Sequence, residues 1–505
     1  MAKLLTDAIR WWERSLPERA AVVCEGEQVT YRELGSWTDG VARWLLTEGG
    51  LAPGDVVAIA GYNSLDWVVA ALGAVKAGAV VAPFNYRYTA SELGHLVEDA
   101  TPLLVFADEQ QAEKLRPASA GSAPFTLVPL SQVRQYRTDE AGPQPIEPSP
   151  DDAVVLAYTS GTTGQPKGLV YTHETVLSAL FELMLKDPTP PEETTMLLAV
   201  PLFSVAGIVH AVLHMAARGA TLVVMSDFDP SVALDLLTEH RVSHLNGVPV
   251  IWERISREPS FEQLDLSHIK VAMVGGARVS NELQQRWHQQ GVVLRHMYGM
   301  TEVGGCGSVP RPPDALSRPD LCGDGSVFTE TRIVRPDGTE CQPGEEGEIL
   351  MRGPGMLKEY WRNPEGTAAL MPDGWIHSGD IGVFDERGYL RYVDRLKDLI
   401  ISGGFNVSPT EVENVIARAP GVIEVAVIPV IDDQWGETPA AIIHGSDELD
   451  VDQVLELARQ ELAVFKVPRY VVRHDGPLPR MPSQKIAKRD LREQYRDIAS
   501  TAVRH

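Results

Sequence analysis

Short apolar runs separated by helical stretches constrain this chain more than any other feature. Val56-Val-Ala-Ile-Ala60, Ala79-Val-Val-Ala82, Leu103-Leu-Val-Phe106, Met196 to Val200 and Val271-Ala-Met-Val274 have no polar face, and Thr221-Leu-Val-Val224 has nearly none. A strand of that kind has to be covered on both sides. Helical stretches such as Leu65 to Lys76 intervene between the runs. Strands alternating with helices predict parallel sheets with helices on both faces. At 505 residues the chain is too long for one core, so two or more domains are expected.

After about residue 325 the texture changes. Glu330 to Arg335, Gly347 to Arg352 and Tyr389 to Val393 alternate apolar with polar residues, with turns such as Pro336-Asp-Gly338 and Arg387-Gly388 between them. That period predicts an antiparallel sheet or small barrel. The stretches Pro310 to Pro319 and Arg116 to Asp151 read as surface connections. From Glu411 a compact α+β unit is predicted: helix 409–418, strands Val422 to Val430 and Ala440 to Ile443, helix Val451 to Leu462, then a basic tail. The fold class expected is α/β. Two parallel-sheet subdomains and a small antiparallel barrel form a large N-terminal domain, followed by a small, mobile α+β C-terminal domain.

Composition excludes several functions. A hydrophobic fraction of 44% and a charged fraction of 23% are those of a soluble globular protein. A net charge of −24 argues against nucleic acid as a partner, although a local cluster of donors can still hold an anion. Cys24, Cys306, Cys322 and Cys341 are far apart, with no Cys-x-x-Cys pair, which fits reduced thiols. The N-terminus mixes charges and tryptophans and lacks a secretory apolar segment. Trp67 to Pro83 carries Lys76 and is short for a membrane span. A cytoplasmic protein without stable membrane insertion is expected.

Tyr158-Thr-Ser-Gly-Thr-Thr-Gly-Gln-Pro-Lys-Gly168 carries the strongest chemical signal. Glycines let backbone approach an anion, hydroxyls and freed N–H groups donate, and Lys167 adds charge. The spacing is not that of a Walker A loop. Gly275-Gly-Ala277 follows a predicted strand, and ligands of open α/β sheets bind at such carboxyl ends. In Tyr298-Gly-Met-Thr-Glu302, Tyr298 offers a flat face, Thr301 a hydroxyl and Glu302 a hard oxygen ligand. Ser378-Gly-Asp380 presents a carboxylate in a turn, equally suited to stabilising that turn. Asp394 to Glu411 puts four charges ahead of an apolar run, and Leu478 to Lys485 holds one lysine on a proline-stiffened loop. His210/His214 and His240/His244 have helical i,i+4 spacing but no acidic partner, so helix histidines are favoured over metal ligands.

In this order and at these separations the segments resemble the acyl-adenylate-forming superfamily, most closely its acyl-CoA synthetases. The resemblance runs from Val29-Thr-Tyr-Arg-Glu-Leu34 to Lys485, and Gly374 to Asp380 and Asp433 to Glu437 support the subgroup. It implies that Thr159, Ser160, Gly161, Thr162, Thr163, Gly164 and Lys167 embrace the phosphates of ATP. Gly275, Gly276, Ala277 and Tyr298 would line the adenine slot, and Gly299 and Met300 would also contact ATP. Thr301 would meet the α-phosphate, Glu302 would bind Mg²⁺, and Asp380 and Arg395 would hold the ribose. Lys397 would be the hinge between an N-terminal domain, 1–394, and a C-terminal one, 395–505. Lys485 would bridge the substrate carboxylate and the α-phosphate. Phe203, Ser204, Gly207, His210 and Val248 would border the acyl pocket, and Gly403 and Gly404 the channel for the thiol of coenzyme A.

Three positions depart from the family pattern. Ser204 stands where histidine is usual, Gln484 where glycine is usual, and Ser378 where threonine is usual. The reaction implied is ATP-dependent adenylation of a carboxylic acid with pyrophosphate release, then transfer to CoA with release of AMP. The alternative passes the same adenylate to an amine or a separate carrier protein. A nucleotide-binding protein without catalysis is opposed by Lys167, Glu302, Asp380, Arg395 and Lys485 together. Mostly small or apolar residues around the acyl positions favour a hydrophobic acid. Monomer and homodimer both stay open.

Overall fold

A seven-stranded sheet runs, edge to edge, through Leu294–Met297, Val271–Gly275, His244–Gly247, Thr195–Leu198, Thr221–Val224, Ala20–Cys24 and Glu27–Thr30. Its first six strands are mutually parallel, and only the last pair is an antiparallel hairpin. A second seven-stranded sheet runs through Glu359–Tyr360, Pro166–Thr172, Ala153–Ser160, Val80–Phe84, Val56–Ala60, Leu104–Ala107 and Thr126–Pro129. It is parallel from Ala153–Ser160 onward and antiparallel at the other edge. The computed structural model describes residues 4–119, 124–138, 148–160, 166–187, 189–276, 279–402, 405–432, 436–481 and 485–502.

The apolar runs are covered as their sequences require. Val56–Ala60 and Val80–Phe84 are buried along their whole length. The helix Leu65–Lys76 between them, capped by the Ser64 side chain on Trp67 N–H, is buried at every residue except Asp66. Its one cation is neutralised where it lies: Lys76 Nζ meets Glu13 at 2.7 Å, Asp39 at 2.9 Å and the Gly35 carbonyl at 3.1 Å. Among the described residues no helix is long and apolar enough to cross a membrane.

The alternating stretch forms a four-stranded sheet ordered Glu330–Val334, Gly347–Arg352, Ile376–Phe384, Leu390–Arg395. The C-terminal stretch forms a sheet in which Gly436–Gly445 pairs with Val422–Asp432, Ile400–Ser402 and Tyr470–Arg473. By compactness the chain divides into one unit of Met1–Thr331 with Met351–Ile376 and another of Arg332–Leu350 with His377–His505.

Four expectations change. The stretch Arg116 to Asp151 is not all connection: Thr126–Pro129 is an edge strand, and buried Val128, Leu130 and Val133 anchor it. Pro310 to Pro319 contains the helix Pro312–Ser317, because proline suits a first turn where its missing N–H costs nothing. The tail is ordered as the strand Tyr470–Arg473 and the helices Lys488–Gln494 and Ile498–Thr501, whose Leu491 and Ile498 join Ile428 and Ile442 in a core. Its charges hid that apolar minority. His240 and His244 do not share a helix: His240 ends Pro230–Glu239 and His244 begins a strand. Of the expected site residues, Gly161, Thr162, Thr163, Gly164, Ala277, Gly403 and Gly404 lie outside the described residues, as does Gln484.

Candidate active site

The described ends of the Gly/Thr segment are strands rather than loop. Ala153–Ser160 and Pro166–Thr172 pair antiparallel and set Thr159 opposite Lys167 and Tyr158 opposite Gly168. Gly168 is tightly packed, since a Cβ there would lie 2.9 Å from Leu156 Cδ1 and 3.0 Å from Trp361 Cβ. Lys167 Nζ sits 5.0 Å from the centroid of the Tyr360 ring, within cation–π range. The Tyr360 hydroxyl in turn donates to Glu302 Oε1 at 3.0 Å. Burial first, and then the Glu302 charge, push the Tyr360 phenol well above its ordinary range, so it stays protonated and donating. Next to it, the Tyr171 hydroxyl donates to the Thr301 carbonyl. Lys167, Thr301 and Glu302 are thus brought together through two tyrosines that sequence reasoning missed. Their only signal was position, Tyr171 on the hairpin and Tyr360 on the two-residue strand added to it.

Val271–Gly275 and Leu294–Met297 lie side by side, with Gly275 opposite Met297. Gly276 leaves the strand at φ +79, and Tyr298 follows the neighbouring strand, with its backbone exchanging hydrogen bonds with Ser308 at 2.9 Å. Gly299 is packed against backbone, as a Cβ would come within 2.4 Å of the Gly305 carbonyl. Met300 caps the short turn Thr301–Val303. Gly275, Gly276, Tyr298, Gly299 and Met300 therefore gather at the carboxyl ends of two adjacent parallel strands, where open α/β sheets bind ligands.

The expected acyl positions surround another turn of the same unit. Ser204 Oγ accepts the Gly207 N–H at 3.0 Å and donates to the Pro201 carbonyl at 2.7 Å, capping the helix start. Phe203 packs edge-on against Tyr86, with centroids 5.3 Å apart. Buried Asn63, which sequence reasoning also missed, accepts the Leu202 N–H at 2.7 Å and donates to the carbonyls of Val200 and Met225. The helix then widens into a π-turn over Ile208–Leu213, a form frequent at functional sites. There His210 Nε2 lies 2.6 Å from the Gly304 carbonyl. A carbonyl only accepts, so Nε2 carries the proton, and burial lowers the ring's pKa and keeps it neutral. Val248 is half-buried at the start of the helix Pro249–Ser256.

In the second unit Asp380 and Arg395 are register partners, with Arg395 Nε 3.0 Å from Asp380 Oδ1. Ser378-Gly-Asp380 is not the expected turn but part of the strand Ile376–Phe384, where the Ser378 hydroxyl donates to the Ile349 carbonyl at 2.6 Å and accepts the Asp380 N–H at 3.0 Å, a role a threonine hydroxyl fills equally. Lys485 is held by the bridge Arg480↔Ile486 and the Met481 N–H on its carbonyl. Burial and the Arg395 charge lower the Lys485 pKa, while Asp380 opposes them. Lys397 lies in the turn Leu396–Asp398, its pKa also lowered by burial. Asp394 just before it accepts from Thr410 N–H at 2.9 Å, Arg395 N–H at 2.8 Å and Ser408 Oγ, and so ties the segment to the helix Pro409–Ile416.

Residues 9–361 match the AMP-binding enzyme family, and residues 411–485 match the AMP-binding enzyme C-terminal domain. A feruloyl-CoA synthase of Amycolatopsis is 35% identical over 484 residues, covering 95% of this chain and 97% of its own. The long-chain-fatty-acid–CoA ligase FadD13 of Mycobacterium tuberculosis is 35% identical over 480 residues, 93% of either chain. Among solved structures, ATP-bound MatB from Rhodopseudomonas palustris superposes with a TM-score of 0.89 at 30% identity, over 99% of this chain and 100% of that one. Sequence and fold agree: the chain belongs to the AMP-binding enzyme family of adenylate-forming enzymes, and its similarity runs to the acyl-CoA synthetases.

Proposed function

We propose that this chain activates a carboxylic acid with ATP, releases pyrophosphate, and transfers the acyl group from the adenylate to the thiol of coenzyme A, releasing AMP. The observation that carries it is the Lys167–Tyr360–Glu302 chain, a fixed cation and a fixed carboxylate joined through one phenol. Attack of a carboxylate on the α-phosphate brings two anions together, so catalysis is positioning and charge stabilisation. Lys167 and the hydroxyls Thr159 and Ser160, with Gly161 to Gly164, hold the leaving phosphates. Thr301 donates to the α-phosphate, Gly275, Gly276, Ala277, Tyr298, Gly299 and Met300 take the adenine, and Asp380 and Arg395 take the ribose.

The residues present fit Mg²⁺. A carboxylate accepts about four contacts, and the Tyr360 hydroxyl on Oε1 leaves Glu302 able to ligate a cation. Bound there, the ion would offset phosphate charge. Lys485 serves the same end against the carboxylate and α-phosphate. We assign the hinge to Lys397, with domains 1–394 and 395–505, and the thiol channel to Gly403 and Gly404. The acid lies along Phe203, Ser204, Gly207, His210 and Val248. Reduced, free cysteines support a cytoplasmic location.

The test is product analysis with purified protein, Mg²⁺, ATP and a panel of acids, with CoA, an amine or a carrier protein as acceptor. Acyl-CoA, AMP and pyrophosphate in equal amounts are expected. ADP in place of AMP, or acyl transfer only to an amine or carrier, sinks the reading.

A further inference from the structure

The turn Thr301–Val303 is held from three directions, and one of the holds comes from the expected acyl wall. Tyr171 on the Gly/Thr hairpin donates to the Thr301 carbonyl, and the Leu357 N–H donates to the Glu302 carbonyl at 2.9 Å. The third is His210, which donates its Nε2 proton to the Gly304 carbonyl at 2.6 Å, across 94 positions of sequence. Gly304 ends the turn at φ +76 and Gly305 follows at φ +92, a left-handed pair that favours glycine. A Cβ on Gly305 would lie 2.4 Å from His210 Nε2, and one on Gly304 would lie 2.6 Å from the Gly355 carbonyl. The backbone after Glu302 is thus pressed by the imidazole at one glycine and by the Gly355 backbone at the other. His210 is buried in the π-turn Ile208–Leu213, and Gly304 is buried as well. A buried carbonyl left without its donor is costly, so the turn would shift to find another.

We infer that His210 is a positioning residue: it fixes the Thr301–Glu302 turn against the acyl wall, so it governs the handling of ATP rather than the choice of acid. The inference rests on the ligase reading above, which gives Thr301 and Glu302 to the triphosphate. The ring also borders a small cavity lined by Met196, Leu198, Ala206 and Asn246, so a role confined to acid choice is the competing reading. The two differ in what they predict. A wall residue acts on each acid through its shape and changes their order. A residue that holds a shared turn scales every acid alike, since the turn meets the same phosphates whichever acid is bound.

The experiment compares His210→Gln, whose amide can still reach the carbonyl and donate, with His210→Leu, which fills similar space without a donor. ATP binding in the presence of Mg²⁺ is measured by titration calorimetry without acid. Pyrophosphate release gives kcat and KM with cinnamic, octanoic and benzoic acids. In His210→Leu, ATP affinity and kcat/KM for ATP are expected to fall about tenfold, by the same factor with each acid and with the order of acids kept. His210→Gln should return both to within about threefold of wild type. If His210→Leu does not fold, His210→Asn, with the same amide on a shorter stem, reads the same comparison. Unchanged ATP affinity, a reordered set of acids, or His210→Gln as impaired as His210→Leu overturns the positioning role while the ligase reading stands. A wild type that binds ATP but releases no pyrophosphate with any acid overturns the ligase reading, and the ATP titration still decides the role of His210.

Discussion

Tyr360 is the residue whose role depends most on its neighbours, because one ring serves Lys167 with its face and Glu302 with its hydroxyl. Tyr360→Phe keeps the face and removes the donor. We expect kcat/KM for ATP to fall by roughly tenfold to a hundredfold, the weight of one hydrogen bond to a charged group, with a higher Mg²⁺ requirement and an unchanged melting temperature. An unaltered Mg²⁺ titration would remove Tyr360 from the site. Lys485 makes a prediction of a different kind. Its pKa lies below the ordinary lysine value of 10.5 because burial and Arg395 disfavour the cation. The charged form is the useful one, so adenylation is lost as pH rises through that lowered pKa and is fully present below it. An alkaline limb should appear in the pH profile and move beyond the accessible range in Lys485→Arg. The Lys485 position was legible from the sequence as a motif match, whereas Tyr360 was not, since a tyrosine in a two-residue strand has no pattern of its own.

At the scale of elements, the helical segment from Val205 to Arg218 does two things at once. Its start, capped by Ser204, shapes the acyl turn, and its later part buries His214 among Arg218, His210 and His244. Both His214 ring nitrogens are buried without a hydrogen-bond partner among the described residues. Burial, followed by the Arg218 charge, pulls its pKa from 6.5 down to about 3. An unfolded chain takes up a proton below pH 6.5 that the folded one refuses until about pH 3. Stability is therefore fully present above 6.5 and erodes on acidification across that window. The slope for this one group approaches about 1.4 kcal/mol per pH unit. Denaturant unfolding at pH 7 and pH 5 should show the loss, and His214→Leu should flatten it. An equally steep dependence in the variant would assign the effect to other groups. The i,i+4 spacing placed His210 and His214 on a helix correctly and His240 and His244 wrongly. Val242 and Leu245 draw the chain at His244 into the sheet, and the sheet's core overrode the helical spacing.

For the molecule as a whole, the division of labour is the issue. The Gly/Thr hairpin, the Tyr298–Glu302 segment and the turn at Phe203 to Gly207 belong to one compact unit, and Asp380, Arg395 and Lys485 to the other. If Lys485 serves adenylation alone, Lys485→Ala should slow pyrophosphate exchange by on the order of 10²-fold or more, as removal of one transition-state donor does. Transfer from a supplied acyl-adenylate to CoA should stay within a few-fold of wild type. Equal loss in both steps would refute a role confined to the first half-reaction.

The sequence alone determined the parallel sheets, because strands with no polar face that alternate with helices need cover on both sides, and it determined the order of the motifs along the chain. The buried strands Val56–Ala60 and Thr221–Val224 were readable residue for residue. Only the tertiary structure decided which residues complete the site. Tyr171, Tyr360 and Asn63 are common polar residues in unremarkable local sequence. Their partners lie far along the chain, Tyr360 reaching Glu302 across 58 positions and Asn63 reaching Leu202 across 139. A hydrogen bond between distant residues exists only after sheets and helices have packed, and no local pattern records it.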